Sequence, residues 1–458
     1  MNSPYINRLK FTEETLEAVG IDDNGKGIVR TDNQTLFVAG LLEGEKGLIR
    51  LGFNKNTAKI EQAHLIKRLT SSPYRVEPRC PYYKDCGGCS LMHLAYPQQL
   101  IYKQNKVRNL LHKFAKLDID VQPTLGMAEP YRFRNKVQVP VGTDSKGKTI
   151  CGFYKENTHI IVPSADCLIE TEEASRILKG IIGLMDKYHI QAYQEDKRSG
   201  LIRHILIKQS LHFSQVMVVL VTAYKDMFAK ANFAKEINKM FPEVTTVVQN
   251  VNSRHTNVIL GEEEHILFGS GKIKDSIFGL SFLISSKSFY QTNPIQLEVL
   301  YKTALDKAEL NKDVNVLDAY SGTGTIGLCA SEKARQVTCV EIEPSSVKDA
   351  KENARINKID NVTFIQDDCT SYMEKNQDRL HYDVVFMDPP RKGSTPEFLN
   401  ALLKIQPRRI IYISCNPVTL ARDLFTLKDA YSITSVTPVD MFPQTHHVET
   451  VVALSLKK

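Results

Sequence analysis

The chain has 458 residues, a net charge of +7, 42% apolar residues and 24% charged ones. That length exceeds a single hydrophobic core and calls for two or three domains, and the balance excludes fibrous and disordered classes. No run of about 18 apolar residues occurs, and the start, MNSPYINRLK, has no apolar leader segment, so the expected address is cytoplasmic with no membrane span. Nine cysteines, an odd number, argue against a framework of structural disulfides.

Residues 1–70 read as a small β-rich module. KGIVRTDNQTLFVAGLLEGEKGLIRLGF (26–53) breaks into short strand-like runs at Gly and Asn turns. A compact OB-like barrel fits, and such barrels bind RNA or single strands, although a purely structural barrel has the same pattern. Residues 46–79 hold Lys46, Arg50, Lys55, Lys59, Lys67, Arg68, Arg75 and Arg79 against Glu61 and Glu77. So one-sided a stripe can neutralise phosphates; a solvated face is the plainer alternative.

SSPYRVEPRCP (71–81) is a Pro-punctuated linker into CPYYKDCGGC (80–89), which spaces Cys80, Cys86 and Cys89 as C-x5-C-x2-C. Three clustered cysteines in a reducing compartment point to a metal, with the fourth ligand from elsewhere, Cys151 or Cys167. Zinc and an iron–sulfur cluster both accept four thiolates, and spacing does not separate them. YPQQLIYKQNKVRNLLHKFA (96–115) predicts a helix with Leu100, Val107, Leu110, Leu111 and Phe114 on one face and Lys103, Lys106, Arg108 and Lys113 mostly off it.

Residues 125–285 are strand-rich and mixed. YRFRNKVQV (131–139) interleaves Tyr131, Arg132, Phe133, Arg134 and Lys136, a pattern that suits base stacking in RNA or, equally, a solvated strand edge. From about 286 strands and helices alternate, which predicts a doubly wound α/β domain with a mainly parallel sheet. Its last strand, HHVETVVALSL, follows a Pro-containing loop without a crossover helix and is expected to be antiparallel.

LDAYSGTGTIGL (317–328) carries Gly322, Gly324 and Gly327 between a strand and a helix. Alone, this pattern fits a dinucleotide site as well as an S-adenosylmethionine (SAM) site. Asp318 before the glycines suits a cationic amino-acid tail and poorly suits a pyrophosphate. Glu341 ends the next strand, where a ribose-binding carboxylate belongs, and MDPPR (387–391) ends a later one. Cys415 sits in YISCNPVTL (412–420) at another strand end, Glu449 starts the final strand and Gln291 lies in SFYQTN. A thiolate, a carboxylate base, a polar group for the uracil edge and SAM are what methylation of carbon 5 of uracil requires.

The set D-x-x-S-G-x-G, MDPPRKG, YISCNP, HHVETV and FYQTN resembles the RNA uracil-C5 methyltransferase family, class I enzymes that use SAM, over nearly the whole chain. The resemblance implies Cys415 as nucleophile and Glu449 as the base that removes the carbon-5 proton. It implies Gln291, Tyr320, Glu341 and Asp388 as SAM and uracil contacts, beside Asp318, Gly322 and Gly324. The leading residues are similar to a TRAM domain. The ribosomal-RNA members carry a [4Fe-4S] cluster on the cysteine pattern, with Cys167 matching the fourth ligand and Cys151 not. Cys329, Cys339 and Cys369 are expected to be inert core thiols.

The implied organisation is a TRAM-like RNA-binding barrel at 1–70 and a mixed α+β central domain with the cluster at 75–95 and 125–285. The methyltransferase domain takes 96–124 and 286–458. Related transfer-RNA enzymes generally lack both the barrel and the cysteines, so the resemblance points to 23S ribosomal RNA. The dual-site enzymes of Gram-positive bacteria belong to that branch. No obligate protein partner is expected. Three rivals remain: a transfer-RNA uridine methyltransferase, a non-catalytic iron–sulfur RNA-binding protein and an NAD oxidoreductase. The last two leave Cys415 without a role.

Overall fold

The computed structural model describes residues 8–458 except 58, 165, 255 and 257. A long strand, Leu9–Ile21, lies between Gly27–Arg30 and Lys46–Asn54, and the strands Thr35–Val38 and Ile60–Arg68 form the two edges of this antiparallel sheet. Val29, Leu36, Val38, Ile49 and Leu51 are buried on its inner face. The edges meet through Gln34, whose amide donates to the Ile60 carbonyl at 2.9 Å and accepts from its N–H at 3.1 Å. A sheet whose edges bond to each other in this way is curled toward a barrel.

The basic stripe is partly consumed inside this unit. Arg75 is bidentate to the buried Glu45 at 2.5 and 2.6 Å and donates to the Gly40 carbonyl at 2.7 Å. Arg50 meets Glu13 at 2.9 Å and Lys46 meets Glu17 at 3.7 Å. Lys59, Lys67 and Arg68 stay exposed, so the charge facing outward is smaller than the residue count implies.

A six-stranded central sheet runs in the order Glu263–Phe268, Val244–Val251, Val216–Thr222, Ile202–Gln209, Lys136–Thr143, Thr149–Cys151. Only Val216–Thr222 and Val244–Val251 are parallel, and the helix Lys230–Met240 makes the crossover between them. This helix and Glu172–Lys187 bury Ile177, Ile181, Phe233 and Ile237 against the sheet. Cys151 lies in that apolar core.

The carboxyl-terminal sheet has seven strands: β1 (Asn315–Ala319), β2 (Gln336–Glu341), β3 (Val362–Gln366), β4 (Val384–Met387), β5 (Arg409–Ser414), β6 (Tyr431–Val439) and β7 (Glu449–Leu456). Their order is β3-β2-β1-β4-β5-β7-β6, and β7 is antiparallel to both its neighbours, as expected. Successive residues face opposite layers. Val316, Phe386 and Ile411 pack with the helix Pro294–Ala308, while Leu317, Met387 and Tyr412 pack with Pro396–Ile405 and Pro417–Leu427. Helices on both faces make this an α/β sandwich with its strand carboxyl ends at one rim. Ile273, Phe282 and Ile284 of the hairpin Lys272–Ser285 join the first of those layers, so the unit gathers packing from before residue 286.

The helix near residue 100 corrects the sequence reading. It spans Tyr96–Leu110 and ends in one wider turn, Leu111–Ala115. Its buried line is Gln99, Lys103, Val107 and Leu110, whereas Phe114 is exposed. Lys103 faces the carboxyl-terminal core because its ammonium meets Asp440 at 2.5 Å and the Phe442 carbonyl at 3.1 Å. Among the described residues no helix is long and apolar enough to cross a membrane.

Candidate active site

The ends of β1, β2, β4 and β5 and the start of β7 present Asp318, Glu341, Asp388, Cys415 and Glu449 at one rim of the sheet. Asp318 is buried; one carboxylate oxygen accepts the Gly327 N–H at 2.8 Å, and the other has no partner among the described residues. Gly327 permits this contact, because a Cβ there would stand 2.9 Å from the carboxylate and 2.4 Å from the Cys339 sulfur. Gly322 and Gly324 take φ of 56° and 77°, the left-handed turn that opens the loop before the helix Thr325–Ser331. Glu341 pins this loop: its carboxylate accepts the N–H groups of Gly322 and Glu343 at 2.9 and 2.8 Å.

Tyr320 also has positive φ, 63°, which costs a side-chain-bearing residue about 1–3 kcal/mol. Its surroundings hold it there. The Cys369 sulfur accepts its N–H at 3.2 Å, its ring packs 5.4 Å from Phe398 and its hydroxyl donates to Ser394 at 3.4 Å. Cys369 and Cys339 are buried packing thiols, and Cys329 is buried among apolar side chains.

Cys415 is half-buried between β5 and the helix Pro417–Leu427. Pro417 therefore opens a helix as well as ending a strand, and Asn416 caps it by accepting the Val418 N–H at 3.1 Å. A helix start would favour a thiolate. Here burial, Glu449 and Asp388 outweigh it and push the thiol up to about 11, against the pull of Arg391. Burial and Asp388 raise Glu449 to about 8, again opposed by Arg391. Burial raises Asp388 to about 7, and burial, with Asp388 and Glu341 nearby, raises Asp318 to about 7. Gln291 is buried in the segment before the helix Pro294–Ala308, and its amide makes no hydrogen bond among the described residues.

Two features of the rim have no role assigned by the sequence pattern. Arg391, inside the quoted MDPPRKG, is exposed, and its guanidinium has no hydrogen-bond or ion-pair partner among the described residues. The loop that bears it is latched by the buried Asp423, which accepts the Ser394 N–H at 2.9 Å, the Tyr412 hydroxyl at 2.7 Å and Arg422 at 2.7 Å. Asn416 and Thr419 fasten the Arg391 carbonyl at 2.9 and 3.3 Å.

The model of the tRNA (Uracil-5-)-methyltransferase family matches residues 95–457. The chain belongs to this family. Among similar proteins are uncharacterised RNA methyltransferases of Clostridium tetani, 41% identical over 97% of each chain, and of Oceanobacillus iheyensis, 42% identical over 99% of this chain and 98% of that one. The tRNA (uracil-54, C5)-methyltransferase of Pyrococcus abyssi, solved with S-adenosyl-L-homocysteine, is 25% identical with a TM-score of 0.76, covering 96% of this chain and 99% of its own. Such coverage leaves no room for the leading sheet to be missing from that tRNA enzyme. The sheet is therefore no mark of a ribosomal substrate, and that expectation loses one of its two supports.

The remaining family motif is the cysteine set. Cys80, Cys86, Cys89 and Cys167 line one cavity with Met92, Arg134, Phe153 and Ile169. Burial and the neighbouring thiols push Cys89 far up, and burial and Glu170 push Cys167 to about 12. Among the described residues no group of three or more histidine, cysteine or acidic side chains is arranged to hold a single metal ion. The stretch 131–136 serves this cavity. Arg132 donates to the Cys167 carbonyl at 2.8 Å, Phe133 is buried and Tyr131 lies 4.5 Å under Arg79. Its expected exposure to RNA is thus largely taken up internally.

Proposed function

We propose that the chain transfers the methyl group of SAM to carbon 5 of uridine in 23S ribosomal RNA through a covalent bond from Cys415 to carbon 6. The convergence of Cys415, Glu449 and Asp388 at one sheet rim, facing Arg391, carries this reading. Carbon 5 of uracil is a weak nucleophile. Addition of the Cys415 thiolate to carbon 6 sends the ring electrons into an enolate, which makes carbon 5 nucleophilic. SAM supplies the electrophilic methyl group and a positive sulfonium. Glu449 then removes the carbon-5 proton, the 5,6 double bond reforms and Cys415 leaves as thiolate. The uridine must be unstacked to reach the thiol, so the target is a loop or an extruded nucleotide.

The unpartnered oxygen of Asp318 and the uncompensated charge of Asp388 suit a cationic ligand. Glu341 keeps lone pairs free for ribose hydroxyls while bonding the loop, Tyr320 would pack beside the ligand and Gln291 would grip a polar edge. Raised carboxyls hold protons in the native state that the unfolded chain has released. The ligand-free protein therefore loses stability as pH rises from the ordinary carboxylate range through 7–8. Over that same window Asp388 and Glu449 become anionic, so the preference for SAM over its neutral thioether product should rise on the order of tenfold from pH 6 to 8.5. Calorimetric affinities for both ligands across that range test this, and a flat ratio would sink the electrostatic reading.

We take the four-cysteine cavity as the site of a [4Fe-4S] cluster, with Cys80, Cys86, Cys89 and Cys167 as ligands and Arg134 offsetting charge. The domain division is proposed as the sequence implies it, with a TRAM-like module leading. Cys89→Ser should lose most bound iron and the visible absorbance; colourless wild-type protein containing zinc would refute the iron assignment.

A transfer-RNA substrate is the second reading, and the match to the Pyrococcus abyssi enzyme favours it. Tritiated-methyl SAM with unmodified 23S rRNA and unmodified tRNA, followed by mapping of the label, separates the two. Label as 5-methyluridine in 23S rRNA is expected, and label confined to tRNA would overturn the substrate while keeping the chemistry.

A further inference from the structure

Glu449 differs from Asp318 and Glu341 at the rim in what holds it, and shares this with Asp388. Its carboxylate makes no hydrogen bond or ion pair with any described residue, whereas Asp318, Glu341 and Asp423 are each gripped by backbone or side-chain donors. Its aim is therefore set by its backbone. Glu449 pairs with Val439 at the base of the hairpin formed by β6 and β7, and residues 440–448 form the loop between them. Whatever fixes that loop fixes the carboxylate.

Lys103 holds the start of the loop at Asp440 and Phe442, Lys106 holds the His446 carbonyl, and the cysteine-bearing segment supplies the rest of the fixing. Ser90 and Leu91, directly after Cys89, donate their N–H groups to the Gln444 carbonyl at 3.1 and 2.9 Å. The Ser90 hydroxyl accepts the His446 N–H at 2.9 Å and meets its Nδ1 at 3.1 Å. Tyr83, within the cysteine stretch and lining the cavity, donates its hydroxyl to the Ser90 carbonyl at 3.1 Å. Gln444 itself sits at φ 69°, held by a reciprocal pair with Gln99 at 3.0 Å in each direction. A strained residue persists only where its surroundings over-determine it, and here they reach across from 90–99.

We propose that Ser90 and Gln444 are positioning residues for Glu449, so that the geometry of the four-cysteine cavity is transmitted to the catalytic base through the 440–448 loop. This rests on the reading of Glu449 as the base. It assigns the cysteine cavity a part in methylation that needs no electron transfer.

The test uses Ser90→Ala, with Ser90→Thr as the conservative rescue and Glu449→Gln as the reference, in the full-length iron-loaded protein. Glu449 acts after methyl transfer. A misplaced base should therefore let a methylated protein–RNA adduct accumulate as a slow-migrating band, with turnover reduced about tenfold and SAM affinity unchanged. Without RNA, amide exchange across 441–450 should quicken in Ser90→Ala while β1 and β4 keep their protection. Ser90→Thr should restore both. Unaltered exchange and no adduct in Ser90→Ala, with the adduct present in Glu449→Gln, would overturn the positioning role. So would lost turnover without adduct. No adduct in Glu449→Gln would instead remove the base assignment, and the proposal with it.

Discussion

Cys415→Ala is expected to lose uridine methylation by at least about 10⁴-fold, roughly 5.5 kcal/mol of barrier, while retaining SAM affinity within a factor of about two. Without the thiol no bond forms at carbon 6, and carbon 5 keeps its weak ring reactivity. The substitution removes one sulfur from a half-buried site, so it should cost the fold only about 1 kcal/mol. It also removes a thiol whose ionisation Glu449 and Asp388 already oppose. Single-turnover methyl transfer and calorimetric SAM binding on the same preparation check it. Methylation within tenfold of wild type would end the covalent reading. Equal loss of SAM binding would show instead that the rim had collapsed.

Lys103→Met should destabilise the protein by about 3–5 kcal/mol, the range for stripping one partner from a buried ion pair. Both side chains are fully buried, and among the described residues Asp440 would keep only the Tyr96 hydroxyl at 2.9 Å. Burial already depresses the Lys103 ammonium, and Asp440 is what holds its proton. A second change, Asp440→Leu, should recover much of the loss, because replacing a buried pair by apolar groups is often neutral. Denaturant midpoints at constant slope measure both variants. A single variant within about 1 kcal/mol of wild type would show the pair to be hydrated.

The carboxyl-terminal sheet was legible because its strands are buried on both faces and read as unbroken apolar runs, VVFM in β4 and IIYI in β5. Strand ends follow from such runs, which is why the sequence sets Asp318, Glu341, Asp388 and Cys415 at strand ends, where the sheet has them. The helix at 96–110 shows the limit. Lys103 obeys no apolar pattern, since its place in the core depends on an acid in a distant loop. Asp423 looks like any acid on a helix until Tyr412 and Ser394 are seen to converge on it. Arg132 fits an RNA contact by sequence, yet it spends its donors on the Cys167 and Glu170 carbonyls and on the Asp166 carboxylate. Each miss is a polar contact between segments that local periodicity does not relate.

The Lys103–Asp440 contact joins residues 337 positions apart. During synthesis the amphipathic helix 96–110 must wait, its ammonium unmatched, until nearly the whole chain has left the ribosome. Val107 and Leu111 wait with it, for their helix packs against the late-made helix Pro417–Leu427. Folding dominated by such distant pairs is slow and leaves apolar surface uncovered meanwhile. A chain cut short before Asp440 would therefore lack more than a strand carrying Glu449. It would leave a helix made early in synthesis with its buried ammonium unmatched, so truncated translation products should be cleared as misfolded rather than persist as RNA-binding fragments.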